Sequence, residues 1–359
     1  MAEALKLGFS REYISRVAQL LSEATNAFDR KQFLSGLKGK AWEESELKTR
    51  AQMMTDAMHA ALPGGYARNI DVIVKVAPLA ANGFYGIIFP EYVSRYGRDH
   101  WDISMKALQQ LTISSTSEFA IRPFLEMDTQ AAMKMIGQWA THENHHVRRL
   151  ASEGCRPRLP WGTQVKALIR DPEPGLAVLE KLMHDESLYV RKSVANHLND
   201  ISKDHPDRVL AFARKWKGKS AHGDWILKHA LRTLLKTGNP EALKLIGVKT
   251  GHSCTLQQLS CDNKVAIGDD FHFSFTLHNA ARRNTLLRIE YAIDFVKSGG
   301  QSRPKKFFIA QREFGTGNFD FARKKHFGQF TTRTHFAGKH VLTIFVNGEA
   351  LGSKAFRVI

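Results

Sequence analysis

The chain has 359 residues and carries 52 Lys and Arg against 35 Asp and Glu, a formal charge of +17. A 43% hydrophobic share with 22 Phe can bury real cores and excludes a disordered chain, while three scattered cysteines, Cys155, Cys254 and Cys261, exclude a disulfide framework or a four-ligand zinc site. The positive field favours polyanionic partners, nucleic acid first, and it runs through the chain: 16 basic and 8 acidic residues from Gly251 onward, 36 and 27 before it.

From Met1 to Arg11 no apolar run of signal-peptide type occurs, so a reduced, cytoplasmic setting is expected. Ile14, Val17, Leu20 and Leu21 recur at helical spacing, and Glu46–Leu62 predicts a helix stopped by Pro63-Gly64-Gly65. The most apolar stretch, Val72–Phe89, is interrupted by Lys75, Pro78, Asn82 and Gly83. It predicts a buried helix and a turn, not a membrane span. Further helical runs are Ser104–Leu111, Thr129–Ala140, one opening at Val165, Gly175–Met183, Arg208–Trp216 and Trp225–Leu235, parted by turns rich in Gly, Pro, Asn or Asp.

Two of these segments repeat. Trp139–Ala151 lies on Leu182–Val194 at a shift of 43, each a helix end, a polar turn, and then Val147-Arg148-Arg149 or Val190-Arg191-Lys192 opening the next helix. A weaker third copy runs from Ile226 to Arg232. A period near 40 with paired helices is the signature of HEAT-type repeats stacked into an α-solenoid.

After about Thr250 the period becomes two. Phe271–Leu277, Leu287–Ile293 and Val341–Val346 alternate apolar and polar residues, with Asn279–Asn284, Ser298–Pro304 and Gly315–Asn318 as loops. The expected organisation is mainly α: a HEAT-like repeat domain over 1–250, then a small all-β immunoglobulin-like sandwich over 255–359.

Three constellations could carry chemistry. His142-Glu143-Asn144-His145-His146 satisfies the HExxH zinc pattern, but the repeat alignment puts it in a polar turn, with Asn144 the N-cap of a helix starting at His145. The segment Val147–Gly162 ends, unlike an ordinary turn, in Glu153, in Arg156 and Arg158 held by Pro157 and Pro160, and in Trp161. Finally, Ser114–Phe124 places Glu118 among small and apolar residues near a helix start.

Taken together, Ser117–Phe124, Val147–Trp161 and Val190–Asp200 make the whole chain resemble the AlkC branch of the bacterial DNA alkylation repair proteins. That resemblance implies a HEAT-like-repeat DNA glycosylase with an immunoglobulin-like tail. It implies hydrolysis of the N-glycosidic bond of cationic alkylated bases, chiefly 3-methyladenine, with 3-methylcytosine and 1-methyladenine as further substrates. It places Glu118 and Glu153 at the family's catalytic carboxylates, Trp161 at an aromatic beside the lesion and Asp200 at a repeat-borne acid, and it implies a lesion left largely stacked. The partner is then double-stranded DNA with alkylated bases. No cofactor, metal or membrane is called for, and a monomer suffices.

Candidates for phosphate contacts are Arg149, Arg156, Arg158 and Lys192 in the repeats, and Arg282, Arg283, Lys305 and Lys306 in or beside loops of the tail. Arg148 and Arg191 occupy the repeat's own arginine position and are expected in structural ion pairs. A non-catalytic basic scaffold would instead leave Glu118 and Glu153 as scattered surface charges or paired with repeat arginines, and a zinc peptidase would bind a stoichiometric metal through His142 and His146.

Overall fold

The computed structural model describes residues 5–80, 83–249, 251–329 and 334–359. Of the positions named above, Met1, Asn82 and Thr250 lie outside them. Residues before 250 are helical and residues from Cys254 form strands. Two compact units emerge: residues 1–205 with 218–230, and residues 206–217 with 231–359. The second unit therefore takes in helices as well as the sandwich.

In the first unit the helix Leu47–Ala61 ends at Leu62 before Pro63, and the apolar stretch resolves into Tyr66–Ala80, a 3-10 turn over Gly83–Ile87 and the helix Ile88–Tyr96. Among the described residues no helix is long and apolar enough to cross a membrane. The repeat reading is visible in the packing. Thr129–Trp139 lies against Glu173–Leu182, while His145–Gly154 packs on Leu188–Ile201, which packs on Ala221–Ala230. These last three are the second helices of the aligned copies, and Val147, Val190 and Ile226 are buried at their seams.

The polar turns are held by the repeat arginines. Arg148 pairs with Asp185 (Nε–Oδ2 2.6 Å) and donates to the carbonyls of His142 and Glu143, and Arg191 donates to those of Asp185 and Glu186. Asn144 caps its helix, its Oδ1 accepting from the His146 amide at 2.8 Å.

The run Trp225–Leu235 is not one helix. It divides at Leu231 into Ala221–Ala230 and Arg232–Thr237, which fall in different compact units.

In the second unit eight strands form two sheets. Strands β1 (Cys254–Cys261), β3 (Asp270–Asn279) and β6 (Gly317–His326) pair in the order β1-β3-β6. Strands β2 (Lys264–Val265), β4 (Thr285–Val296), β5 (Ser302–Phe314), β7 (Gly338–Val346) and β8 (Glu349–Val358) pair in the order β2-β8-β7-β4-β5. All pairings are antiparallel except the short β2–β8 ladder.

The period-two residues point inward. Phe271, Phe273, Phe275 and Leu277 of β3 meet Leu287, Ile289, Tyr291 and Ile293 of β4 and Leu342, Ile344 and Val346 of β7 in one core. Two expected loops are shorter than read: β5 begins at Ser302 and β6 at Gly317. Pro304 is tolerated because β5 is an edge strand, where its missing N–H removes no ladder bond. Asn347 and Gly348, at φ 50° and 87°, form the tight β7–β8 turn, and a Cβ at Gly348 would meet Gly238 Cα at 3.1 Å.

His197 ties the helices Leu188–Ile201 and His145–Gly154 together. It is 1% exposed, and its Nδ1–H donates to the Ser152 carbonyl at 2.9 Å. Burial, partly opposed by Asp200, lowers its pKa from 6.5 to about 4. Between those values the unfolded chain binds a proton here that the folded chain does not, so stability is full above pH 6.5 and falls as the pH drops toward 4. The loss amounts to about 3 kcal/mol. Denaturant titrations at pH 7 and pH 4.5 should show this loss shrinking in His197→Asn; equal losses in both proteins would exclude a buried neutral imidazole.

Candidate active site

Four segments of the helical unit supply the site. The turn before the helix Arg122–Met127 carries Thr116 and Glu118. The helix His145–Gly154 carries Arg149 and Glu153, which its i, i+4 spacing sets on one face. The loop 155–165 carries Arg156, Arg158 and Trp161. The helix Leu188–Ile201 carries Tyr189, Ser193 and Asp200, spaced to share another face.

These side chains form an alternating ladder of charge. Thr116 Oγ1 donates to Glu118 Oε2 at 2.9 Å, and the same carboxylate oxygen pairs with Arg149 Nη1. Arg149 Nη2 lies 3.5 Å from Glu153 Oε1, which also accepts from Arg156 Nη1 at 2.6 Å. The hydroxyl of Ser193 donates to Glu153 Oε2 at 2.5 Å. Arg156 continues to Asp200 through Nε and Nη2, both at 2.8 Å, and Lys203 closes the row on Asp200 Oδ1 at 3.0 Å.

Glu118, Glu153 and Asp200 are 9%, 6% and 2% exposed, so three like charges sit together with little water. Only interleaved cations make that arrangement affordable. Burial alone would depress the pKa of Arg156, but Glu153 and Asp200 hold it above the usual arginine value.

Glu118 and Arg149 line a cavity of about 340 Å³ with Phe84, Thr116, His146 and Tyr189. The Arg149 guanidinium lies 4.9 Å over the Tyr189 ring, and burial raises the Tyr189 pKa, with Glu118 and Glu153 adding to the rise. A second cavity, of about 200 Å³, shares Phe84 and Thr116 with the first and is walled by Phe119 and Trp161. Trp161 is 56% exposed and stands edge-on to Phe84 at 6.1 Å.

Residues 109–234 match the family described as DNA alkylation repair enzyme, and residues 255–359 match the C-terminal Ig-like domain of YhaZ. The chain is 45% identical to the "Uncharacterized protein YhaZ" of Bacillus subtilis (strain 168), over 99% of both proteins. It is 39% identical to Pseudomonas fluorescens alkylpurine DNA glycosylase AlkC, solved bound to DNA containing an abasic site analog. That match has a TM-score of 0.95 and covers 99% of each chain. The chain belongs to the AlkC family of DNA alkylation repair glycosylases.

In this AlkC-type protein Glu118, Glu153 and Asp200 are brought together through their arginines, with Trp161 nearby on the wall of the adjoining cavity. Arg149 and Arg156, read from the sequence as phosphate contacts, are instead rungs of the ladder: Arg156 is 5% exposed, and both guanidinium groups are engaged by carboxylates. Arg158 is half-buried and paired with Asp204 at 2.7 Å. Lys192 is exposed on its helix, and Arg282 and Arg283 are exposed between β3 and β4. Lys305 and Lys306 lie in strand β5, beside the turn that precedes it, their ammonium groups over the rings of Phe307 and Phe345. The HExxH histidines do not share a helix face: His142 sits in the turn, accepting from the Asn144 amide, and His146 lies in the first helical turn.

Sequence reasoning missed Thr116, Tyr189 and Ser193. Helical spacing back from Asp200 marks Tyr189 and Ser193 as neighbours on its face, but nothing in the linear order shows that Ser193 reaches a carboxylate 40 residues away.

Replacing Arg156 by Met strands Glu153 and Asp200 as buried carboxylates without their shared partner. Unfolding measurements should show a loss of about 3–5 kcal/mol. A loss under about 1 kcal/mol would mean that water, not Arg156, solvates these acids.

Proposed function

We propose that this protein hydrolyses the N-glycosidic bond of cationic alkylated bases, 3-methyladenine foremost, in double-stranded DNA, acting as a monofunctional glycosylase. The observation that carries this reading is the state of Glu118. Its Oε2 is taken by Thr116 and Arg149, while among the described residues none bonds Oε1, and the side chain lines the 340 Å³ cavity. Glu153, by contrast, is held on both oxygens, by Arg156 and Ser193. Glu118 is thus the carboxylate that meets the sugar and orients a water, and Glu153 sets the field behind it.

An N3-alkylated purine already carries positive charge and leaves without protonation, so no general acid is needed. As the bond breaks the sugar gains oxocarbenium character. A carboxylate about 4 Å away, at an effective dielectric near 20, contributes about 4 kcal/mol of attraction. Realised in the transition state, that is about a thousandfold in rate. Glu118 also accepts the proton of the attacking water. Neutral bases lack this built-in lability and stay in place.

Trp161 and Tyr189 support a lesion met from its sugar side rather than one drawn into a slot. They are 56% and 44% exposed, and so present aromatic surface outward.

In single-turnover assays on methylated duplex, Glu118→Gln and Glu153→Gln should each slow release of 3-methyladenine by about 100- to 1,000-fold. DNA affinity should stay within a few-fold. Unchanged release by both variants would sink the proposal.

The exposed pair Arg282 and Arg283 is assigned to DNA phosphates. Changing both to Ala should weaken duplex binding and lower the slope of log K against log salt by about 2. An unaltered slope would remove them from the interface.

A further inference from the structure

The loop 155–165 holds three of the site's side chains but no regular secondary structure, and its path is set from outside. Arg122, 1% exposed, lies beneath it. Its Nη1 donates to the carbonyls of Gly154 and Arg156, both at 3.0 Å, and its Nε to that of Thr163 at 2.5 Å. The backbone passes so close that a Cβ on Gly162 would stand 3.2 Å from Arg122 Cδ.

Within this staple Trp161 adopts φ 65°, the left-handed region that a bulky residue enters only against strain. Something must hold it there. The Trp161 carbonyl accepts a hydrogen bond from Lys48 Nζ, reaching from the helix Leu47–Ala61, 113 residues away. The same ammonium lies 5.5 Å over the Phe119 ring, one residue from Glu118. Lys48, Phe84, Phe119 and Trp161 all line the 200 Å³ cavity.

We propose that Lys48 is a positioning residue for the glycosylase reaction: its charge-assisted bond to the Trp161 carbonyl stabilises the left-handed backbone that stands the indole beside the carboxylate cavity. A bond to an ionised donor is stronger than a neutral one and offsets the strain of one left-handed residue. The proposal rests on the reading that Trp161 acts at the lesion. Lys48 itself is solvent-exposed, so its loss leaves the core intact.

The test is a double-mutant cycle of Lys48→Met and Trp161→Ala, with Lys48→Arg as the conservative variant, read by single-turnover base release and by DNA affinity. Lys48→Met should slow release about tenfold with affinity within about twofold and at most a small drop in melting temperature, and Lys48→Arg should restore most of the rate. In the Trp161→Ala background Lys48→Met should add less than about a twofold effect, because the group it positions is gone.

An equally large effect in that background overturns the proposal. So does weakened DNA binding with a shallower salt dependence, which would mark Lys48 as a phosphate contact. A normal rate in Lys48→Met beside a slow Trp161→Ala overturns the Lys48 assignment alone, whereas a normal rate in Trp161→Ala overturns the role of Trp161 and that of Lys48 with it.

Discussion

Glu153 is where the first unit is tied together. A carboxylate buried to 6% exposure has exchanged its water for Arg149, Arg156 and Ser193, which belong to its own helix, the loop after it and the next repeat's helix. Arg149 reaches on to Glu118 in the preceding turn, and Arg156 to Asp200 near the end of the following helix. One ionic row therefore couples the elements that build the cavity and presents Glu118 at its wall. Arg156 is the member whose removal takes a cation from two buried carboxylates at once, Glu153 and Asp200, which binds the geometry of the chemistry to the stability of the repeats.

The excess of arginine and lysine has two unlike uses. Some guanidinium groups are turned inward, where a planar donor with five N–H groups can satisfy several acceptors at once. Arg148 and Arg191 hold the carbonyls of the repeat turns, Arg122 holds three carbonyls under the Trp161 loop, and Arg288 in the sandwich pairs with buried Glu290. Lys192, Arg282 and Arg283 stay in solvent, where charge attracts a polyanion but builds nothing. Composition counts both uses alike. Arg149 and Arg156 each pair locally with Glu153, but the second partners that draw them inward, Glu118 and Asp200, are 31 and 44 residues away in sequence.

Helix and strand regions were legible because burial imposes its periods on apolar residues. The 43-residue echo exposed the stacking of second helices, since each copy must bury the same face. The polar turn around Asn144 was readable as a cap because Asn offers a helix start its missing acceptor. Element ends were less legible. The strand containing Pro304 reads as a loop because only its edge position in the sheet excuses the proline, and the break at Leu231 coincides with the division between the two compact units.

By itself the sequence determined the succession of a helical part and an all-β part and the strongly basic field, since period and charge are properties of the chain order, while the acids of the site were singled out by the family resemblance. Only the tertiary structure decided which of those charges meet. Burial converts Arg149 and Arg156 from surface cations into partners of Glu118, Glu153 and Asp200, and it brings Lys48 to a tryptophan 113 residues away. The links to Glu153 follow helical spacing, but those to Glu118, Asp200 and Trp161 depend on distance through space in a medium of low dielectric, which no pattern along the chain encodes.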